Sequence, residues 1–534
     1  MLKRSNAVPA IFAGVFVLAA ASCGQEQTPT ANDTPSGVSL ARLSLSQSGV
    51  QYADLGKPEA LAWGPPGVFA VKGGYVIPDN VRSVIVKYDK NYSVIGEVSL
   101  DGLARGIVSV AQIGDDLLAL DVSSGKTKII RVSSGGTVSG SELSLSPDRL
   151  TGIVSDDTGA IIEEAGGERL YRVSGNGDTL SAVPVASYTW NGVAYSVDGV
   201  TAIYTHERVI HLGSITAKVT AVNHLGLVQL IGSDGSGGVY ALAEDVQVGP
   251  VVSVKQYLWR FDASGTVVSI ASIPLAEQLT AVLHPMALND ERAPTVLITR
   301  TDSIEFRRPG LIDHASYIRS KRGLLPGESS ETGTTEEARQ KLIVYTFTCL
   351  TSAQMQSNAF EYLNTWTNIS ATSINNDSSC TPRIKPAYLG SAGVYGSVSY
   401  NWGGFNTPTE FVAGMSANYK AGNLDTSLPY ALPCVRGVDC SGFVSRVWGL
   451  TSKLTTRTIP QHVKLYTPSP MLLGDVFNKY DDHVVVFVSN ATNGINTYES
   501  THYLNYDRVV SIYRPWSTLT GYAGYRSLTS CNLP

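Results

Sequence analysis

At 534 residues the chain has room for about two to four domains, and 43% hydrophobic against 16% charged residues excludes a chain that is disordered throughout. Its net charge of −5 supplies no basic excess for a polyanion, so no nucleic-acid partner is expected.

Lys3 and Arg4 precede an apolar run over residues 7–21, too short to span a membrane and patterned as a signal peptide over 1–22. The run ends in Ala20-Ala21-Ser22-Cys23-Gly24. Small residues directly before a cysteine resemble a bacterial lipoprotein cleavage site, which implies lipidation of Cys23. The alternative is an ordinary signal peptide with an incidental cysteine, because Ala20 stands where that pattern favours Leu. Residues 23–40 are polar, without periodicity, and read as a tether. The expected location is the bacterial cell envelope, with the protein lipid-anchored to the membrane and facing the periplasm or the exterior.

Residues 41–318 show almost no helical pattern and many Gly, Ser and Asp turns. Ile85-Val86-Lys87-Tyr88-Asp89, Ile129-Ile130-Arg131-Val132-Ser133, Leu170-Tyr171-Arg172-Val173-Ser174 and Leu258-Trp259-Arg260-Phe261-Asp262 repeat one theme, a β-rich run entering a turn. Their basic residues recur at forty-odd positions, with twice that interval before Arg260, so a degenerate unit is expected near Ala217. Ser303-Ile304-Glu305-Phe306 supplies one more. About six strand-turn-strand units of this period predict an all-β, propeller-like domain, each blade burying its faces only against its neighbours. A pair of β-sandwiches is the alternative. Lys87, Arg131, Arg172 and Arg260 are expected on solvated strand faces, without a shared ligand.

Residues 319–340 are polar and charged and mark a linker. Beyond it, in residues 341–534, apolar residues at near-helical spacing predict a helix over 352–365. Val438-Asp439-Cys440-Ser441-Gly442-Phe443-Val444 then reads as a helix start, with Asp439 as N-cap and Cys440 in the first turn. Phe443, Val444, Val447 and Trp448 follow on one apolar face that would anchor the thiol. Helix N-termini favour thiolate over thiol, more so beside an imidazole. His483 opens the β-rich run His483-Val484-Val485-Val486-Phe487-Val488, and Glu499 in Asn496-Thr497-Tyr498-Glu499-Ser500-Thr501 is placed to orient the ring. Nucleophile, base and orienter are thus all present in order.

With these segments the region resembles the NlpC-type cell-wall peptidases, papain-like cysteine hydrolases. Tyr400-Asn401-Trp402-Gly403-Gly404 is similar to that family's aromatic-Gly-Gly segment, and Asp439-Cys440-Ser441-Gly442-Phe443-Val444 to its nucleophile signature. Arg457-Thr458-Ile459-Pro460-Gln461 resembles its Arg-Thr…Gln turn, and Leu473-Gly474-Asp475-Val476 followed by His483-Val484-Val485 its Gly-Asp and His-Val strands. The likeness spans about residues 390–516 and implies an α+β papain-like fold over 341–534. It implies Cys440 as nucleophile, His483 as general base, Glu499 at the third polar position, and Tyr400, Asp439 and Ser441 at the stem-peptide amine or supporting the thiolate. Two departures stand out. Residues 405–435 form an insertion, expected as a loop over the cleft, and His502 is a rival to Glu499 that a strand would turn to the opposite face.

Setting aside Cys23 and Cys440 leaves Cys349, Cys380, Cys434 and Cys531, an even number that in an exported chain suggests two disulfides among three possible pairings. Cys349 with Cys380 would close the N-terminal arm of this region, and a bond between Cys434 and Cys440 is a further option. No two cysteines have metal-ligand spacing, so neither metal nor cofactor is expected. The function expected from the resemblance is a peptidoglycan hydrolase cleaving stem-peptide amide bonds, most often between D-glutamate and a diamino acid. The rivals are an amidase or acyltransferase on another substrate, and a propeller-based binding lipoprotein with a degenerate hydrolase region.

Overall fold

The computed structural model describes residues 37–314 and 349–531, apart from 55–56, 58–59, 101, 124, 177–178 and 200–204. The signal peptide, Cys23, all but the last residues of the tether, and the linker at 319–340 lie outside the described residues.

Six antiparallel sheets of four or five strands make up the first part. The first is built from Phe69–Val71, Gly74–Asp79, Val84–Asp89 and Val94–Ser99. Its burial explains its sequence. The second strand is buried throughout, the third almost so, and the fourth is nearly all exposed. Middle strands are covered on both faces by neighbouring sheets and are apolar without alternation, whereas the outer edge faces water. The first strands of successive sheets lie side by side, except that the fifth sheet's meets the second and third strands of the fourth, and those of the first and sixth sheets also meet, so the ring closes as a β-propeller of six blades. Closure joins distant parts of the chain: Val38–Ser44 is the outer strand of the sixth blade, paired antiparallel with Ser303–Arg308.

Lys87, Arg131, Arg172 and Arg260 all lie on third strands. Three pair with an acid from the inner hairpin of their own blade: Arg131 with Asp116, Arg172 with Asp156 at 3.9 Å, and Arg260 with Asp234 at 3.2 Å. The repeat is therefore a structural one. The unit expected near Ala217 is displaced, because Ala217 belongs to the fourth strand Ile215–Thr220 and the third is Glu207–Leu212. Short first and second strands, Tyr188–Trp190 and Val193–Val197, bring that blade out of phase.

Residues 349–531 contain a six-stranded antiparallel sheet. Its order is Val463–Tyr466, Ala523–Ser527, Val476–Lys479, His483–Ala491, Gly494–Thr501 and Arg508–Pro515. The helices Ser352–Leu363 and Pro408–Ser416 each start with a capping box, Thr351 with Gln354 and Thr407 with Glu410. The helix Cys440–Val447 packs on the strands His483–Ala491 and Gly494–Thr501. The insertion is not a loop over a cleft. It holds the helix Pro408–Ser416, whose Phe411 and Met415 are buried, and the parallel pair Lys420–Ala421 with Val435–Arg436.

This region is not separate from the propeller, and the described residues between 37 and 531 form one compact unit. Tyr503, Leu504, Tyr506 and Ile512 share a core with Val108, Leu150 and Ile162, while Phe477, Val485 and Trp516 share another with Val246 and Val254. Asn505 Nδ2 donates to the carbonyls of Asn80 and Arg105, so the turn after Thr501 is seated in the propeller.

The disulfides are Cys349–Cys531 and Cys380–Cys434. The pairing of Cys349 with Cys380 is thus corrected. Leu350 bridges Ser530 and its amide donates to the Thr529 carbonyl, which brings the start and end of the region together although 182 positions separate their cysteines. Cys434 is spent on Cys380, leaving Cys440 as the buried cysteine outside any disulfide among the described residues. Non-reducing digestion and mass mapping are expected to yield peptides linking 349 to 531 and 380 to 434; a peptide linking 349 to 380 would contradict this fold.

Candidate functional site

Asp439 is in extended conformation and its carboxylate accepts a hydrogen bond from the Gly442 amide at 2.7 Å, capping the helix that Cys440 opens. Phe443, Val444, Val447 and Trp448 are fully buried, and at about 1.5–3 kcal/mol for each such side chain they fix this helix firmly. Glycine is required at position 442, where a Cβ would stand 2.2 Å from the Gly404 carbonyl oxygen. The nucleophile segment and the aromatic-Gly-Gly segment therefore touch backbone to backbone. Tyr400 bridges Val438, and Ser500 Oγ donates to the Val438 carbonyl at 2.7 Å, tying the strand of Glu499 to the residue two before Cys440.

His483 begins its strand and is buried, with Nε2 2.9 Å from Glu499 Oε2. Glu499 also accepts from the Arg514 guanidinium, Nε to Oε1 at 2.9 Å and Nη2 to Oε2 at 2.6 Å, and from Thr497 Oγ1 at 2.9 Å. Burial alone would raise the Glu499 pKa; Arg514 and the His483 bond outweigh it and hold the carboxyl well below the usual range. A carboxylate fixed in its charged form can only accept, so His483 Nε2 carries the proton and Nδ1 is the nitrogen available for chemistry. Arg457 grips Asp481 with two bonds of 2.7 Å, steadying the turn before His483. Asp475 is held by Arg526 at 2.8 Å.

The structure thus joins His483 and Glu499 directly and docks the Cys440 helix on their two strands. Asp439 and Ser441 are buried and share Lys453, whose Nζ is 3.0 Å from the Asp439 carboxylate and 3.1 Å from Ser441 Oγ. Tyr400 is buried beside Ala60, Trp402 and Leu424, so a propeller segment covers it. His502 is not a partner of His483. It pairs with Asp54 of the propeller, stacks edge-on against Trp63 and lies 3.6 Å from Asp507. Arg514, Lys453 and Asp54 went unread in the sequence. The only hint of Arg514 is a cation directly after the β-rich run Val509-Val510-Ser511-Ile512-Tyr513.

No family model matches the chain, and no curated protein matches it. Solved structures that it resembles include virginiamycin B lyase from Staphylococcus aureus, 11% identical, covering 50% of this chain and 98% of that one with a TM-score of 0.31. Hydrazine synthase from Kuenenia stuttgartiensis is 14% identical, covering 44% and 76% with a TM-score of 0.29. Glutaminyl cyclase from Myxococcus xanthus is 13% identical, covering 48% and 95% with a TM-score of 0.27.

Burial would lower the His502 pKa, but Asp54 and Asp507 raise it from 6.5 to about 10. A raised histidine stabilises the fold fully below about pH 6.5, and that contribution is lost as the pH climbs through about 10. Thermal unfolding midpoints between pH 7 and 10 are expected to fall more steeply for the wild type than for Asp54→Asn; parallel curves would contradict the ion pair.

Proposed function

We propose that this protein is an exported cysteine peptidase that cleaves amide bonds in peptidoglycan stem peptides, with residues 341–534 forming a papain-like α+β catalytic region. The observation that carries this reading is the Cys440 thiol at a capped helix start, docked on the two strands that hold the His483–Glu499 pair. In the mechanism, the Cys440 thiolate attacks the carbonyl carbon, forming the C–S bond. Amides at the helix start stabilise the oxyanion. Protonated His483 delivers its Nδ1 proton to the leaving amine as the C–N bond breaks; water then attacks the acyl carbon, giving its proton to His483, and the C–S bond breaks to release the carboxylic acid and the Cys440 thiolate. Glu499 keeps the ring in one tautomer and Arg514 keeps Glu499 charged. The reaction needs no metal in this scheme. The substrate assignment, between D-glutamate and a diamino acid, rests on the resemblance of the four segments. A lipid anchor at Cys23, for which the small residues directly before that cysteine speak, would put the enzyme on the membrane facing the wall.

Lys453 bears on the substrate. With its ammonium on Asp439 and Ser441, that pair is already neutralised, and a stem peptide whose amine reached it would have to displace Lys453.

Digestion of defined stem peptides, read by mass, is the test. The wild type is expected to release the fragments of one amide cleavage and Cys440→Ala to lose at least about a thousandfold in rate. Full activity in Cys440→Ala would remove the nucleophile, and cleavage only of amides outside peptidoglycan would move the enzyme to the rival substrate class.

A further inference from the structure

The propeller axis is closed at one end and open at the other. Tyr503, Leu504 and Tyr506 meet Val108 and Leu150 at the end where the inner strands begin. Further along those same strands a cavity of about 460 Å³ opens, walled by Phe69, Ile153, Leu230 and Met286. It is a blind well whose lining mixes polar and apolar residues. Its size suits a small organic molecule.

The floor is polar and organised around one carboxylate. Glu163 is fully buried; its Oε1 accepts from the Tyr188 hydroxyl at 2.6 Å and its Oε2 from Gln229 Nε2 at 2.6 Å. With the Gln229 nitrogen committed to Glu163, the amide oxygen Oε1 is left without a hydrogen-bond partner among the described residues, although Gln229 is only 5% exposed and lines the well. His284 lines it too. Its Nε2 lies 2.6 Å from the Thr151 carbonyl, which can only accept, so Nε2 carries the hydrogen and Nδ1 presents a lone pair. Burial lowers His284 to about 4, keeping it neutral near pH 7. A Cβ at position 152 would stand 2.7 Å from Glu163 Oε2 and 3.0 Å from His284 Cε1, so glycine there leaves the room in which the groups converge.

Two unsatisfied acceptors in front of a buried acid call for a donor, and one with positive charge above all. An anion would find only acceptors. The rim carries both signs, Asp157 and Asp290 against Lys72 and Arg292, so the selectivity lies at the floor. We propose that the propeller well is a binding site for a small ligand with a protonated primary amine, which donates to Gln229 Oε1 and His284 Nδ1 in front of Glu163 while its carbon chain lies against Phe69, Ile153, Leu230 and Met286. Burial raises Glu163 to about 7, and a cation seated there would favour its charged form.

The site is independent of the peptidase chemistry, so its test uses the full chain carrying Cys440→Ala. Isothermal titration compares Nα-acetyl-lysine amide, which has one free amine, with its Nε-acetylated form, which has none. Saturable binding of the first, at least about tenfold weaker binding of the second, and a loss of at least about tenfold in both Gln229→Leu and His284→Phe are expected. Circular dichroism unfolding checks that each variant is folded. Equal binding of the two amides, no saturable binding of the free amine, or unchanged binding in both folded variants would overturn the proposal. The first comparison needs no floor variant, so it decides even if those variants fail to fold.

Discussion

The buried pair of Glu499 and Arg514 is the constraint around which the second half of the molecule is arranged. Two charges withdrawn from water repay their desolvation only through close, directed contacts, and losing one partner of such a pair costs about 3–5 kcal/mol. Glu499 has those contacts: both guanidinium bonds, the Thr497 hydroxyl and the His483 ring. The pair therefore does two things with one geometry. It holds two adjacent strands in register, and it fixes which nitrogen of His483 faces away from the carboxylate.

Arg514 also links this cluster to the propeller. Its guanidinium lies over the Tyr503 ring, 4.6 Å from the centroid, and Tyr503 belongs to the core that closes the propeller's inner end. Leu504, Asn505 and Asp507 take left-handed backbone angles to make the turn that seats there. The His502 contact with Asp54 and the burial of Tyr400 beside Ala60 extend the same interface towards the Cys440 helix. A propeller built this way is part of the support of the candidate site, and the region of residues 349–531 in turn makes the floor of the propeller.

Local patterns were legible in the sequence and long-range pairings were not. Four of the third strands announced themselves because each carries a basic residue in an apolar run, and in three of them its acid sits in the same blade, as with Arg131 and Asp116. The unit expected near Ala217 was displaced because shortened strands break the period without changing composition. The start of the Cys440 helix was readable from Asp439 and the Phe443 stripe, which are local signals. Arg514, Lys453 and Asp54 find their partners 15, 14 and 448 positions away in the chain, and nothing in strand or turn chemistry marks such meetings. The cysteines make the same point: Cys349 is nearer in sequence to Cys380, but a β-bridge at Leu350 takes it to Cys531.

The central claim is that His483, set by Glu499 and Arg514, activates Cys440. The rate of alkylation of Cys440 by iodoacetamide from pH 5 to 9, read by peptide mass in the wild type and in His483→Ala, tests it most directly. The account expects a wild-type midpoint well below the ordinary thiol value of about 8.5 and a return towards that value in His483→Ala. Superimposable profiles with midpoints near 8.5 would contradict it.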